Sequence, residues 1–250
     1  MTHQVNSEGF PPVSNNPPGH TLFGKLRFIM RTFMDMQVAS VFRHLRPWLQ
    51  ERSGTLLEVG CGAQPYRHLV PAACRYTGLD WEEAEAHFNY HLPDTVYYQG
   101  ERFPFEDGSF DSLFHTEVLE HVYHAGQFLA ECRRVLKPSG SMFFTVPFQA
   151  RYHYIPHDFF RYTPAALERM LGEAGFRHVE ITPRGSDITV AAYKNMSVLY
   201  RWVQSGLGGM LAGILLSPLA LPVLIVGWLS LRLSVGSRDD CLGYTVTAEN

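Results

Sequence analysis

Apolar and polar residues alternate along the middle of the chain in a pattern that predicts strands followed by helices. Short apolar runs that predict strands lie at 56–59, 76–79, 96–99, 110–114 and 141–146. One predicted helix covers 118–136 and ends in the lysine, proline and glycine of 137–140. Strands that alternate with helices imply a doubly wound, mostly parallel sheet whose ligand lies at the carboxyl ends of the strands.

The first fifty residues divide into two parts of different character. Residues 1–20 carry a single charge and are rich in proline, asparagine, serine and glycine, so we expect a disordered tail. Residues 21–52 place apolar side chains at three- and four-residue steps and carry six basic residues against two acidic ones. This predicts an amphipathic helix or helix pair that ends at Pro47. The segment either packs on the domain or rests on anionic lipid.

A second unusual segment lies near the C-terminus, where residues 202–231 contain no aspartate, glutamate, lysine or arginine. Pro218 and Pro222 divide it into predicted helices over 207–217 and 222–233, each about 17 Å long at about 1.5 Å per residue. That length is about half of a hydrocarbon core. With arginines on both sides, the segment predicts a shallow re-entrant hairpin whose two ends are cytoplasmic. The alternative is a helix pair buried against the protein or in a dimer interface.

Composition narrows the classes of function. The 250 residues are 46% apolar with a net charge of -3, which suits an α/β domain and argues against nucleic acid as the main partner. The four cysteines form no CxxC pair, so we expect reduced thiols in the cytoplasm and no zinc site. Small molecules and a membrane surface are the expected partners.

A glycine turn and an acidic residue follow the first two predicted strands. Gly60 and Gly62 lie directly after the first strand, and Asp80 ends the second. Glycines let the backbone approach a ligand closely, and an acid at the next strand end accepts hydrogen bonds from ribose hydroxyls. The pattern therefore predicts a nucleoside site. The GxGxxG fingerprint is absent from 60–65, which disfavours a nicotinamide dehydrogenase.

The ordered set of motifs resembles one family. LLEVGCGAQPY, YTGLDWEEA, FPFEDGSFDSLFHTEVLEHV, LAECRRVLKPSGSMFFTVPF and FFRYTPAALERMLGEAGF are similar to class I S-adenosylmethionine-dependent methyltransferases of the methyltransferase-11 type, over about 54–184. CLGYTVTAEN at 241–250 resembles the last strand of that family. The resemblance implies a Rossmann-like seven-stranded sheet with an antiparallel last strand, formed by 53–188 and 239–250. Residues 189–238 are then an insertion, carrying the apolar hairpin, between a sixth strand at 178–182 and a seventh at 242–247.

The resemblance also implies a cofactor site for S-adenosylmethionine. It places Gly60 and Gly62 under the methionine portion, Glu58 near the ammonium group and Asp80 at the ribose hydroxyls. The further contacts that it implies are Trp81 packing on the adenine, the Gln99 amide accepting from the adenine amino group, and His115 with Thr116 near the methyl group. Gln64 replaces the third glycine of the family motif. As plain alternatives, Glu58 is a strand-end acid, Asp80 a helix cap and Trp81 a core residue.

The acceptor side is expected after the fifth strand, in the polar and aromatic run 151–162. If the acceptor is a hydroxyl, His157 is a candidate general base oriented by Asp158, although a structural role for either is open. The spacing of His153 and His157 would permit a metal site on a helix, but Pro156 breaks that helix, so we expect no metal. Glu120 and His121 are expected to organise the turn in which they lie.

These features together predict a membrane-associated methyltransferase on the cytoplasmic side of a membrane. Because the acceptor side would lie near lipid, we expect an amphipathic small-molecule acceptor: a lipid-linked glycan, a quinone precursor or a lipid. The alternative is a non-catalytic membrane-bound scaffold or regulator that retains the methyltransferase fold.

Overall fold

In the computed structural model, which describes residues 15–82 and 92–250, seven strands form one sheet. The strands are β1 Gly54–Val59, β2 Cys74–Trp81, β3 Thr95–Tyr98, β4 Phe110–Thr116, β5 Leu136–Pro147, β6 Arg177–Arg184 and β7 Gly243–Glu249. Their order is β3-β2-β1-β4-β5-β7-β6. The first five strands run parallel to one another, whereas β7 is antiparallel to both β5 and β6. The predicted Rossmann-like fold is confirmed, and its crevice lies where the strand order reverses between β1 and β4.

Helices cover both faces of the sheet and extend beyond it. They are α1 Leu22–Met34, α2 Met36–Gln50, α3 Ala125–Val135, α4 Pro164–Ala174, α5 Asp187–Gln204 and α6 Leu207–Leu233, with short 3-10 helices at Arg67–Leu69 and Leu119–His121. The helix predicted over 118–136 thus begins later than expected. The reason is that the Glu120 carbonyl accepts from the backbone N–H groups of Phe159 and Phe160, at 2.9 and 3.3 Å, and not from a helical turn.

The core has one apolar layer on each face of the sheet. Successive residues of β1 alternate between them: Leu56 packs with Leu45 and Leu49 of α2, and Leu57 packs with Leu129 of α3. This alternation is the period of a pleated strand. Burial on both faces explains why the parallel strands read as continuous apolar runs.

The N-terminal segment forms the predicted helix pair, with different environments for its two members. Helix α2 buries Met36, Leu45 and Leu49, and it continues through Pro47 to Gln50, so the prediction that Pro47 ends the helix is wrong. Pro47 has no N–H and so removes one hydrogen bond from the helix, but burial of the Leu49 side chain stabilises the last turn and offsets this loss. Among the residues described, none in α1 is buried. Residues 1–14 of the predicted disordered tail lie outside the described residues, and disorder of the tail stays a prediction.

The insertion is a hairpin of two antiparallel helices, α5 and α6, between β6 and β7. The predicted division of the apolar segment at its prolines is wrong, because α6 is one continuous helix of 27 residues. Pro218 cannot donate to the Ile214 carbonyl, but the Ser217 hydroxyl donates to it instead at 2.7 Å. At the base of the hairpin, Asp187 and Ser237 exchange hydrogen bonds. The two ends of the insertion therefore lie side by side where the chain leaves β6 and returns to β7.

The outer half of this hairpin is exposed and apolar. Leu215 is 78% exposed and Leu219 is 67% exposed, whereas Leu224 and Leu231, nearer the base, are buried. Helix α6 is long and apolar enough to cross a membrane, by length and composition. Its burial against the rest of the chain, one of the alternatives above, is contradicted for the outer half.

Arg184 at the end of β6 connects this strand in the interior to α2, to β5 and to the turn after β4. Its guanidinium donates to the Ser40 hydroxyl of α2 at 2.8 Å, to the Val146 carbonyl of β5 at 3.2 Å and to the Glu117 carboxylate at 2.6 Å. The Arg184 side chain is fully buried, so its charge depends on these partners. Glu117, directly after β4, has a positive φ of 53°, and the ion pair holds it there.

Replacing Arg184 with methionine is expected to lower the free energy of unfolding by about 3 kcal/mol, because Glu117 and the Val146 carbonyl lose their partner. Urea unfolding of the solubilised protein, followed by circular dichroism, measures this loss. Arg169→Met is the matched control, since Arg169 pairs with Glu173 on the exposed surface of α4 and should contribute little. Equal stability of the two variants would contradict the role assigned to Arg184.

Candidate active site

The turn after β1 brings the predicted glycines against the predicted acid. Gly60 and Gly62 have φ values of 64° and 53°, a left-handed conformation that favours glycine. The Gly62 N–H donates to the Asp80 carboxylate at 2.8 Å, and the Trp81 N–H donates to its other oxygen at 2.8 Å. Asp80 is 7% exposed. At the carboxyl ends of β1 and β2, the glycine turn therefore lies directly beside the Asp80 carboxylate, whose orientation is fixed by two backbone N–H groups.

Gln64 occupies the place of the family's third glycine and keeps a glycine-like conformation. Its φ is 54°, which is unfavourable for a residue with a side chain. Its amide nitrogen donates to Asp94 at 2.7 Å and to the Thr95 hydroxyl at 3.0 Å. These two bonds, formed in a buried position, offset the backbone strain and hold the turn in shape.

Glu58 is buried in β1, two residues before Gly60. The Tyr76 hydroxyl donates to its carboxylate at 2.5 Å. Burial raises the pKa of Glu58 to about 8; the Tyr76 hydrogen bond opposes this shift, and the nearby Asp80 charge adds to it. Tyr76 was not among the sequence candidates. In the pairing of β1 with β2, Glu58 lies opposite Gly78, and Tyr76 lies two residues before Gly78 on the same strand. The sequence alone does not give this register.

Glu58→Gln is expected to stabilise the protein more at pH 8 than at pH 5. The pKa of Glu58 in the folded state lies above its ordinary value of about 4.5, so wild-type stability is lost as pH rises from about 4.5 through about 8. Glutamine keeps an acceptor for Tyr76 and removes this loss. Melting temperatures across that pH range test the prediction, with the exposed Glu51→Gln as control. A wild-type pH profile parallel to that of Glu58→Gln would contradict it.

Trp81 lies at the rim of the crevice and links the two sides of the candidate site. Its side chain is 40% exposed, and its ring meets the His157 ring edge-to-face at a centroid distance of 5.9 Å. Gln99, at the end of β3, donates its amide to Glu82, which leaves the amide oxygen as the available acceptor. The structure thus brings Trp81 and His157 together, although 76 residues separate them in the chain.

The His115 side chain does not reach the crevice, which corrects the contact expected for it. Its ring is fully buried, stacked on Phe144 at 4.6 Å and edge-on to Phe128 at 5.2 Å. Both ring nitrogens lack a hydrogen-bond partner within the part of the chain that the structure describes. Burial lowers the pKa of His115 to about 3, so the ring is neutral. The pleat of β4 directs it inward, whereas Thr116 is half-buried at the strand end.

Asp158 does not orient His157, and this part of the predicted catalytic pair is wrong. Its carboxylate forms two hydrogen bonds to Arg161, at 2.5 and 2.8 Å, and a third to the His153 backbone N–H at 3.0 Å. Burial raises the pKa of Asp158, but the hydrogen bonds from Arg161 and His153 outweigh it and hold the pKa below its usual value. Asp158 therefore fixes the shape of the loop after β5. His157 is exposed beside Trp81.

Three potential metal-ligating side chains meet next to this loop. Glu120 and His121 come from the turn after β4, and His153 from the loop after β5; one ligand atom of each lies within 4.8 Å of the others. Spacing along the chain pairs His153 with His157, four residues on. The structure instead places the His153 ring 4.9 Å from that of His121, because the loop folds back over the turn. Burial, together with the Glu117 charge, raises the pKa of Glu120 well above its usual range.

Comparison with known proteins agrees with this architecture. Residues 57–144 match the family model described as a methyltransferase domain, of the methyltransferase-11 type. The resemblance drawn from the motifs is thereby confirmed over residues 57–144. A solved structure of a SAM-dependent methyltransferase from Archaeoglobus fulgidus superposes over 90% of this chain and 99% of its own, with a TM-score of 0.55 and 14% identity. At that identity the likeness concerns the fold.

Two curated relatives are similar in sequence. A protein of Mycolicibacterium smegmatis named as a probable S-adenosylmethionine-dependent methyltransferase is 35% identical over 96 residues, 37% of each chain. Phthiotriol/phenolphthiotriol dimycocerosates methyltransferase 1 of Mycobacterium ulcerans is 38% identical over 100 residues, 36% of each chain. The chain thus spans little more than a third of the length of these two relatives.

Proposed function

We propose that the protein is an S-adenosylmethionine-dependent methyltransferase that acts on an amphipathic, lipid-like acceptor at a membrane surface. The observation that carries the proposal is the glycine turn of Gly60 and Gly62, joined to the Asp80 carboxylate by the Gly62 N–H at 2.8 Å. The named functions of the two curated relatives support it.

The residues around the turn fit the cofactor. Asp80 is oriented by two backbone donors and, as a charged acceptor, suits two ribose hydroxyls. A cationic ammonium group near Glu58 would favour the ionised form of this carboxyl, whose pKa burial raises to about 8. The exposed Trp81 ring offers a stacking surface for adenine, and Gln99 an amide oxygen for its amino group. Because its ring is buried, His115 has no part in this proposal.

Bound S-adenosylmethionine supplies an activated methyl group, so the task of the protein is to align an acceptor with it. His157 is the proposed general base for a hydroxyl acceptor, because its exposed ring lies against Trp81. Asp158 and Arg161 are positioning residues that hold the loop of His157. A cavity of about 410 Å³ beside this loop, lined by Tyr123, Phe160, Tyr162 and Met170 among others, offers apolar surface to an acceptor.

The exposed helices support a membrane location. The amphipathic α1 contacts α6 near the base of the hairpin, where the Phe33 ring stacks on Trp228 at 5.4 Å and the Phe33 carbonyl accepts a hydrogen bond from the Trp228 indole at 2.8 Å. Lys25, Arg27 and Arg31 of α1 add positive charge suited to anionic lipid. The lipid-related name of the Mycobacterium ulcerans relative agrees with an amphipathic acceptor.

Calorimetric titration of the detergent-solubilised protein with S-adenosylhomocysteine tests the cofactor site on which the proposed activity depends. Micromolar binding is the expected result, because the glycine turn and Asp80 are already arranged for a nucleoside. A folded protein that binds no S-adenosylhomocysteine would contradict the proposal and favour the scaffold alternative.

A further inference from the structure

Glu120, His121 and His153 form a side-chain cluster that the cofactor site does not use. Both carboxylate oxygens of Glu120 are buried and lack a hydrogen-bond partner among the residues the structure describes, and the Glu120 side chain is 0% exposed. A buried carboxyl without any partner is costly. The Glu120 Oε1 to His121 Nε2 distance is 3.7 Å, which is too long for a hydrogen bond.

The backbone fixes which nitrogen of each imidazole is free. His121 Nδ1 lies 2.6 Å from the His157 carbonyl oxygen, and His153 Nδ1 lies 2.8 Å from the Arg151 carbonyl oxygen. A carbonyl only accepts, so Nδ1 must carry the proton in both rings, and in the neutral rings Nε2 carries the lone pair. Histidines that ligate metals typically donate their other ring N–H to a backbone carbonyl or carboxylate in this way.

We propose that Glu120, His121 and His153 bind a divalent transition-metal ion of the zinc type. Zinc bonds to imidazole nitrogen and carboxylate oxygen are about 2.0–2.2 Å long, so two ligands on a tetrahedral ion lie roughly 3.4 Å apart. The 3.7 Å distance between Glu120 and His121 is close to that value, and the separations, all within 4.8 Å, would have to close by at most about 1.4 Å. Two imidazoles with one carboxylate suit zinc or iron better than magnesium or calcium.

With three protein ligands, a tetrahedral ion at this site would keep one coordination position open for an acceptor. The site is joined to the cofactor side through His157, whose carbonyl accepts from His121 and whose ring contacts Trp81. This role rests on the proposed function. A hydroxyl acceptor held there would lose its proton more readily. After that proton leaves to His157 or solvent, the acceptor oxygen bonds to the methyl carbon as the carbon–sulfur bond breaks, and the sulfur keeps the electron pair.

Cobalt binding tests the site without any need for activity. The untagged full-length protein, stripped with a chelator and kept in detergent, is titrated with Co²⁺. We expect about one ion per chain, with the visible absorption of cobalt held by protein ligands, displaced by Zn²⁺. His153→Ala and Glu120→Gln should weaken binding by about 100-fold or more. His124→Ala is the control, because His124 lies three residues beyond His121, outside the cluster, and is exposed.

The outcomes separate the metal site from the methyltransferase activity. Wild-type protein that binds S-adenosylhomocysteine but no Co²⁺ would overturn the metal site alone. Unchanged Co²⁺ binding by a folded His153→Ala variant would overturn it as well, and this half-buried loop residue is the safer substitution for folding. Cobalt binding that the two variants lose, in a protein that binds no S-adenosylhomocysteine, would support the site and refute the role in methyl transfer.

Discussion

Replacing Asp80 with alanine is expected to weaken S-adenosylhomocysteine binding by at least about tenfold, on the order of 1.4 kcal/mol or more. The Asp80 carboxylate has two proposed tasks: it accepts from the Gly62 N–H at 2.8 Å, which shapes the glycine turn, and it receives the ribose hydroxyls. Hydrogen bonds to a charged group contribute about 1.5–3 kcal/mol each. Calorimetry of variant and wild type, in the same detergent, measures the difference.

Two further variants separate the tasks of Asp80 and control for general effects. Asp80→Asn keeps one oxygen as an acceptor for Gly62 but loses the charge, so its affinity should lie between those of wild type and Asp80→Ala. Asp107→Ala is the matched control, because Asp107 precedes β4, at the amino ends of the parallel strands and away from Asp80, and pairs with Arg134 on the surface. Unchanged affinity in a folded Asp80→Ala variant would mean that the ribose is held elsewhere.

The sequence predicted the sheet better than it predicted side-chain directions. The strands were recognisable because burial on both faces makes them apolar throughout, as Leu56 and Leu57 illustrate. The same continuity hides which face each residue occupies. His115 was for this reason expected at the crevice, although the pleat of β4 turns it into the core against Phe144.

Helix breaks and loop contacts were less predictable than strands. Whether a proline breaks a helix depends on whether a neighbouring side chain satisfies the freed carbonyl, and loop contacts depend on residues that pairing rules within one segment do not identify. Pro218 lies within α6, since the Ser217 hydroxyl satisfies the carbonyl that proline cannot reach. Asp158 pairs with Arg161 and not with its neighbour His157. The meeting of His121 with His153 joins segments 32 residues apart, and no spacing rule within one helix would have found it.

Charging the outer face of α6 is expected to release the protein from membranes. Leu215 and Leu219 are 78% and 67% exposed, and changing both to aspartate places charge where we propose acyl chains. An aspartate in the apolar part of a membrane helix costs about 2.5–3.5 kcal/mol, so the partition coefficient should fall by at least about tenfold. Flotation with vesicles of phosphatidylcholine and phosphatidylglycerol measures it.

Arg169→Glu is the control for this double variant, because it changes net charge by the same amount on the exposed surface of α4, far along the chain from α6. It should float with the vesicles as wild type does. The competing explanation is that α6 is covered by a second copy of the chain. In that case wild type would remain in the aqueous phase as a dimer, and the double variant would sediment as a monomer. Because a lipid surface and a protein partner bury the same leucines, only the combination of flotation and sedimentation distinguishes them, and wild-type flotation is the result that the membrane proposal requires.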